Sequence, residues 1–107
     1  MTEKKFAVVT TTIRVPTFLR DYALDFARSG FQNVEFIVIA DLATPHKAEA
    51  FANSLNGGFR VDYWSVARQR EWLKDFPELD KVIPYDSVQR RNLGFLIACQ
   101  RGADVIV

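Results

Sequence analysis

A chain of 107 residues is sized for one domain or a piece of one, and its 49% apolar and 25% charged content is ordinary for a globular protein. A formal net charge of +1 supplies no field to gather nucleic acid or an anionic membrane; the single Cys99 excludes an internal disulfide and, with the single His46, a Cys/His zinc cluster. Met1 leads into polar Thr2 to Lys5 and then only a short apolar stretch, neither a signal peptide nor a membrane span, so a cytoplasmic setting is expected.

Phe6 to Ile13 is a β-branched run without polar alternation, the pattern of a strand buried on both faces. Thr17 or its predecessor then caps a predicted helix carrying Phe18, Leu19, Tyr22, Ala23, Phe26 and Ala27, which Gly30 ends. Val34 to Ala40 reads as a second central strand with Asp41 at its carboxyl end. Thr44-Pro45 reads as a hydroxyl cap followed by proline at the first helical position. Ala48, Phe51 and Leu55 form its apolar stripe, and Gly57-Gly58 close it. Arg60 to Ser65 is a third strand, in which Val61 and Tyr63 alternate with Asp62 and Trp64. Trp72, Leu73 and Phe76 suggest a short helix stopped by Pro77, followed by an irregular link to Pro84.

Asp86-Ser87-Val88-Gln89 has the form of a capping box, opening a helix from about Ser87 to Gln100 with Val88, Phe95, Leu96 and Cys99 at its apolar positions. Gly102 caps it, and Ala103 to Val107 begins a fourth strand. Alternating strands and helices predict an α/β fold: a three-layer, Rossmann-like parallel sheet forming a single domain over residues 1–107. Because the chain ends within the apolar run, the domain is expected to be truncated after this fourth strand.

In an open parallel sheet the ligand crevice lies beyond the carboxyl ends of the strands, where four stretches land: Thr10 to Arg14, Asp41, Ser65 to Arg68, and Asp86 to Arg91. Thr10, Thr11, Thr12 and Arg14 fall there; hydroxyls bind base or ribose edges and arginine pairs with a diphosphate, although threonine is also simply a good strand residue. Asp41 either accepts hydrogen bonds from a base or ribose or caps its own turn. Arg90 and Arg91 stand where a helix dipole disfavours cations, so either an anion such as a diphosphate lies nearby, or one arginine pairs with Asp86 and the other is solvated. Asn92 follows, and Gly94 inside the helix costs about 1 kcal/mol relative to alanine, which close packing or ligand approach would motivate. His46 and Lys47 are expected to face solvent, Cys99 to be a small core residue, and Trp64 and Trp72 to be packing groups. Without a glycine-rich loop, the dinucleotide fingerprint and the P-loop are both absent.

Arg91-Asn92-Leu93-Gly94, followed by apolar residues and Arg101-Gly102-Ala103-Asp104-Val105-Ile106-Val107, resembles the arginine-asparagine-x-glycine helix of family 2 glycosyltransferases, which have the GT-A fold of nucleotide-diphospho-sugar transferases. Val9 to Arg14, Asp41, and Asp86-Ser87 with Arg91 also resemble the reversibly glycosylated polypeptides, which act as UDP-arabinopyranose mutases. Residues 60–85 carry no part of the likeness. The resemblance implies that Thr11, Thr12 and Arg14 line a nucleotide pocket, that Asp41 faces the base and that Arg91 contacts the diphosphate of a UDP- or GDP-linked sugar. It also implies a DXD motif holding Mn²⁺ or Mg²⁺ just past Val107, with the acceptor half and its catalytic base later still. On that reading these residues supply donor binding but neither metal ligands nor a catalytic group, and the 107-residue chain is expected to lack transferase activity by itself. Two other classes share the topology. Sugar-phosphate nucleotidyltransferases carry a glycine-rich loop with arginine and lysine where this chain has only Arg14. A non-catalytic, flavodoxin-like nucleotide-binding or regulatory module remains open, although a receiver domain needs acidic residues where the threonines stand.

Overall fold

A computed structural model of the chain describes residues 5–12, 14–28, 33–55, 60–83 and 90–107. The β-branched run Phe6–Thr12 forms β1, and Val34–Ala40 forms β2. They pair in parallel from Phe6 opposite Val34 to Thr12 opposite Ala40. β3 (Arg60–Trp64) adds to the far side of β2, and β4 (Val105–Ile106) to the far side of β1. The strand order is β3-β2-β1-β4, and every pairing is parallel. Every residue of β2 is buried, which explains its lack of polar alternation.

Helices cover both faces. On one, α1 (Phe18–Arg28) and α2 (Lys47–Ser54) bring Leu19 and Ala52 against Val34, Phe36, Val38 and Val61. On the other, α3 (Val66–Leu73), α4 (Pro77–Val82) and α5 (Arg91–Gln100) bury Leu73, Leu93, Ile97 and Ala98 against Ala7, Val9, Ile37, Ile39 and Trp64, with Leu79 packed beside them. The result is a three-layer α/β fold of Rossmann-like form, as the element order predicts. Ile37, Val38 and Ile39 are fully shielded, and burying side chains of this size stabilises by about 1.5–3 kcal/mol each. Among the described residues no helix is long and apolar enough to cross a membrane.

Several local expectations change. Residues 66–83 hold two helices rather than one. The Ser65 hydroxyl accepts from the Arg68 N–H to cap α3, and Pro77 then begins α4, where its missing N–H leaves no hydrogen bond unmade. Trp72 and Phe76 stack across the break, ring centroids 4.7 Å apart. α2 starts at Lys47 with His46 in the cap position, so Thr44 is not its cap. The expected caps at Gly30 and Gly57-Gly58, and the capping box at residues 86–89 with Val88, lie outside the described residues.

α5 presents a different face from the one its spacing suggests. Leu93, Gly94, Ile97 and Ala98 are buried, whereas Leu96 and Cys99 are exposed. Gly94 sets this rotation. A Cβ there would stand 2.3 Å from Val9 Cγ1 and 3.1 Å from Ile39 Cγ1, so the helix backbone rests directly on β1 and β2. Close packing is thus the reason for a glycine in mid-helix. After Arg101, Gly102 takes a left-handed conformation with φ 77°, and the N–H groups of Gly102 and Ala103 bond the carbonyls of Cys99 and Ala98.

Arg101 carries the same face to the amino end of the sheet. It donates to Glu35 and, at 2.6 Å, to Asp62. Asp62 also accepts from Arg68 and from the Trp64 indole N–H at 2.9 Å, while the Arg68 guanidinium lies 3.8 Å over the Trp64 ring. Burial alone would raise the Asp62 pKa; hydrogen bonds from Arg68 and Arg101, and their charges, outweigh it and hold the carboxyl below its usual value.

Gly94→Ala is expected to lower the urea midpoint, because overpacking against stiff Val9 costs about 1–3 kcal/mol while helix propensity returns only ~1 kcal/mol; an unchanged or raised midpoint would contradict the contact. A depressed folded-state pKa for Asp62 means that its contribution is present above the unfolded-state value and is lost as pH falls through the folded one. Asp62→Asn should therefore melt lower than wild type at neutral pH, with the two thermal midpoints converging below about pH 4. Parallel curves would exclude this role.

Candidate functional site

The chain runs outward from β1 through β2 to β3 and then returns β4 to the other side of β1. Strand order therefore reverses between β1 and β4, and the carboxyl edge there is the expected crevice. Two cavities open along this edge. The first, about 310 Å³, lies at the ends of β2 and β3 and is lined by Ala40, Asp41, Thr44, His46, Tyr63 and Ser65, with Val66 and Ala67 from the first turn of α3. The second, about 320 Å³, lies beside β1 and is lined by Val8, Thr10, Phe18, Tyr22, Arg91 and Val107. Phe18 and Tyr22 meet edge to face, centroids 5.9 Å apart.

Thr44 ties β1 to the turn after β2. Its hydroxyl accepts from the Asp41 N–H at 2.8 Å and donates to the Thr12 carbonyl, while its own N–H donates to the Asp41 carbonyl at 3.0 Å. Asp41 is buried, and its Oδ1 accepts from the Leu42 N–H at 2.7 Å. One carboxylate oxygen therefore serves the turn, as the simpler sequence reading has it, although the residue also lines the first cavity. Burial, and then the Glu49 carboxylate, push the Tyr63 phenol up, so its O–H stays protonated at neutral pH.

The threonines divide. Thr10 lines the second cavity with Arg91, and its hydroxyl donates to the Thr11 carbonyl at 3.1 Å. The Thr12 hydroxyl is engaged by its own loop, donating to the Arg14 carbonyl and accepting from the Arg14 N–H at 3.1 Å. Thr11 is half-buried and Arg14 is exposed; neither lines either cavity. Asn92 is exposed beside Arg91, and Asp86 lies outside the described residues.

Arg90 and Arg91 do not act as a pair. Arg91 is exposed at the second cavity, 5.7 Å over the Phe95 ring. Arg90 is 0% exposed: its Nε donates to Gln69 Oε1 at 2.9 Å, and its Nη1 to the Ile83 carbonyl at 3.2 Å. Gln69 is equally buried, and its Nε2 donates to the carbonyls of Ala40 and Trp64, both at 2.8 Å. Sequence reasoning leaves Arg90 either near a bound anion or paired with Asp86, which lies outside the described residues; among the described residues it donates to a buried amide and a carbonyl. Gln69 and Tyr63 carried no sequence signal for a site, whereas Ser65 stands in the stretch after β3 that strand order places at the crevice. Thr44 did carry one, a hydroxyl beside proline, but it pointed to a helix cap.

No three His, Cys, Asp or Glu come together among the described residues in a way that could hold a metal ion. The described side chains lining the second cavity include no carboxylate or imidazole, so they do not by themselves make a divalent-cation site beside Arg91. Compared with known proteins, the chain matches no family model and no curated protein.

Thr44→Val removes one donor and one acceptor between the β1 and β2 ends at nearly constant volume. It should cost about 1–2 kcal/mol in chemical denaturation and perturb the amide resonances of Asp41 and Leu42. Unchanged resonances would show that the hydroxyl link is not formed.

Proposed function

We propose that the chain is the donor-nucleotide-binding part of a glycosyltransferase that moves a sugar from a nucleoside-diphosphate sugar to an acceptor hydroxyl. The observation that carries the reading is the shared cavity of Thr10 and Arg91, the end of β1 and the start of α5, next to the point where strand order reverses. Its arginine is exposed and has no carboxylate among the described residues lining the cavity with it, which suits an anionic ligand. The sequence resemblance to family 2 glycosyltransferases supplies the reaction class.

Size supports a divided ligand. Each cavity lies near the low end of the roughly 300–1,000 Å³ range of small-molecule pockets, enough for one moiety rather than a whole nucleotide sugar. The crevice between β2 and β3 lies two strand spacings, about 10 Å, from that between β1 and β4, comparable with the reach of a nucleoside diphosphate. On this reading the base and ribose occupy the first cavity, where Asp41, Thr44, His46, Tyr63 and Ser65 offer both donors and acceptors. The diphosphate turns toward Arg91, whose fixed charge favours the negative charge that builds on it as the sugar leaves. These side chains hold and orient the donor.

Titration calorimetry with UDP and GDP tests the reading, with and without Mn²⁺. One of the two diphosphates is expected to bind, and Arg91→Ala should weaken it about tenfold, the worth of one charge-assisted hydrogen bond. Binding of neither nucleotide, or equal affinity in Arg91→Ala, would overturn the assignment.

A further inference from the structure

The two cavities are joined through the interior by a single amide. Gln69 reaches from α3 to the carbonyls of Ala40 and Trp64, the last residues of β2 and β3, while its oxygen accepts from Arg90. The residues that follow Ala40 and Trp64, Asp41 and Ser65, line the first cavity. The residue that follows Arg90 is Arg91, which lines the second. Arg90 extends the connection to Ile83, just past α4. One side chain thus makes contact with three separate segments that carry the proposed site.

A guanidinium with 0% exposure is an expensive way to fill space. Burying charge is costly, and an apolar side chain of similar volume often stabilises more. What an apolar chain lacks is geometry. The planar fork of arginine holds two acceptors in fixed directions, and a primary amide donates to two carbonyls while accepting on its other side. Both capacities are used here, so the arrangement fixes strand ends and helix start relative to one another.

We infer that Gln69 and Arg90 are positioning residues that lock the ends of β2 and β3 to the start of α5, holding the two cavities at the separation a nucleoside diphosphate requires. The lock is a property of the fold; its effect on nucleotide affinity rests on the donor-binding reading above. Gln69→Glu separates the connections, because it keeps an oxygen for Arg90 but sets a second oxygen against the carbonyls of Ala40 and Trp64. Arg90→Lys keeps the charge but cannot span Gln69 and Ile83 as a planar fork. Should Gln69→Glu fail to fold, Gln69→Met removes the hydrogen bonds to both carbonyls and to Arg90 without adding charge.

Two measurements on the 107-residue chain decide the matter. Amide hydrogen exchange without ligand is expected to accelerate in the variants at Leu42 and Arg68, the N–H groups that close the turns after β2 and β3, beyond any change in α1. Calorimetry with whichever of UDP and GDP the wild-type chain binds, and with the matching nucleoside, is expected to show a diphosphate-to-nucleoside affinity ratio lowered about tenfold, with nucleoside affinity in Arg90→Lys retained. Exchange that rises uniformly across the chain would overturn the lock and leave a merely stabilising pair. Localised exchange with an unchanged ratio would overturn the positioning role. If the wild-type chain binds neither UDP nor GDP, the donor-nucleotide reading and the positioning role both fall, and the exchange pattern alone still accepts or rejects the lock.

Discussion

α5 lies directly on β1 and β2 because position 94 has no side chain. With Val9 and Ile39 pressed against the helix backbone, the axis of α5 has little freedom to slide or roll, since close-packed interiors transmit rather than absorb displacement. The consequence runs in both directions along the helix. Toward its start, Arg90 is aimed inward and Arg91 outward. Toward its end, Arg101 reaches over the sheet to Glu35 and Asp62. A helix rolled by one residue would exchange those destinations.

The two ends are held by different physics. Arg101 and Asp62 are partly exposed, so their attraction is screened by salt and each pair contributes modestly. What strengthens this end is sharing: Asp62 serves two guanidiniums and an indole, so ordering one carboxylate supports several bonds at once. At the other end, Arg90 and Gln69 are cut off from solvent. There each hydrogen bond is electrostatically stronger, and the loss of any partner is correspondingly more costly. The carboxyl edge, where the cavities lie, is therefore the end held by buried hydrogen bonds rather than by solvent-screened charge.

The architecture was legible from periodicity because its causes are local. β-branched runs without polar alternation predict strands buried on both faces, and Val34–Ala40 is such a strand throughout, whereas Phe6–Thr12 is a strand fully buried only at Ala7, Val9 and Thr12. Gly102 likewise reported its own turn. The exposed face of α5 was misread because a buried glycine is silent in any count of apolar residues. Gly94 defines the contact, yet hydrophobicity points to Leu96 and Cys99. Arg90 and Arg91 are adjacent and alike in sequence, and only the location of a partner distinguishes them. That partner, Gln69, sits 21 residues earlier, in a segment whose two short helices leave weak periodic signals. Arg91 and Thr10 were both expected at the strand ends, and they share a cavity; Arg14 and Thr12 were expected there too, but Arg14 lies outside it and the Thr12 hydroxyl is bonded within its own loop. Position along the chain located the edge, while side-chain direction depended on contacts from elsewhere.

The charge cluster around Asp62 has a second consequence, because β3 is an outer strand of the sheet. An outer strand presents a row of unpaired amides, a template on which another chain can polymerise. Here the strand is five residues long, carries an exposed Arg60 at its start and an inward-facing carboxylate at its centre. Any twist that a foreign strand docking alongside imposed on β3 would disturb the ion pairs of Asp62 beneath. The same residues that brace the helix layer thus protect this border of the sheet against self-association.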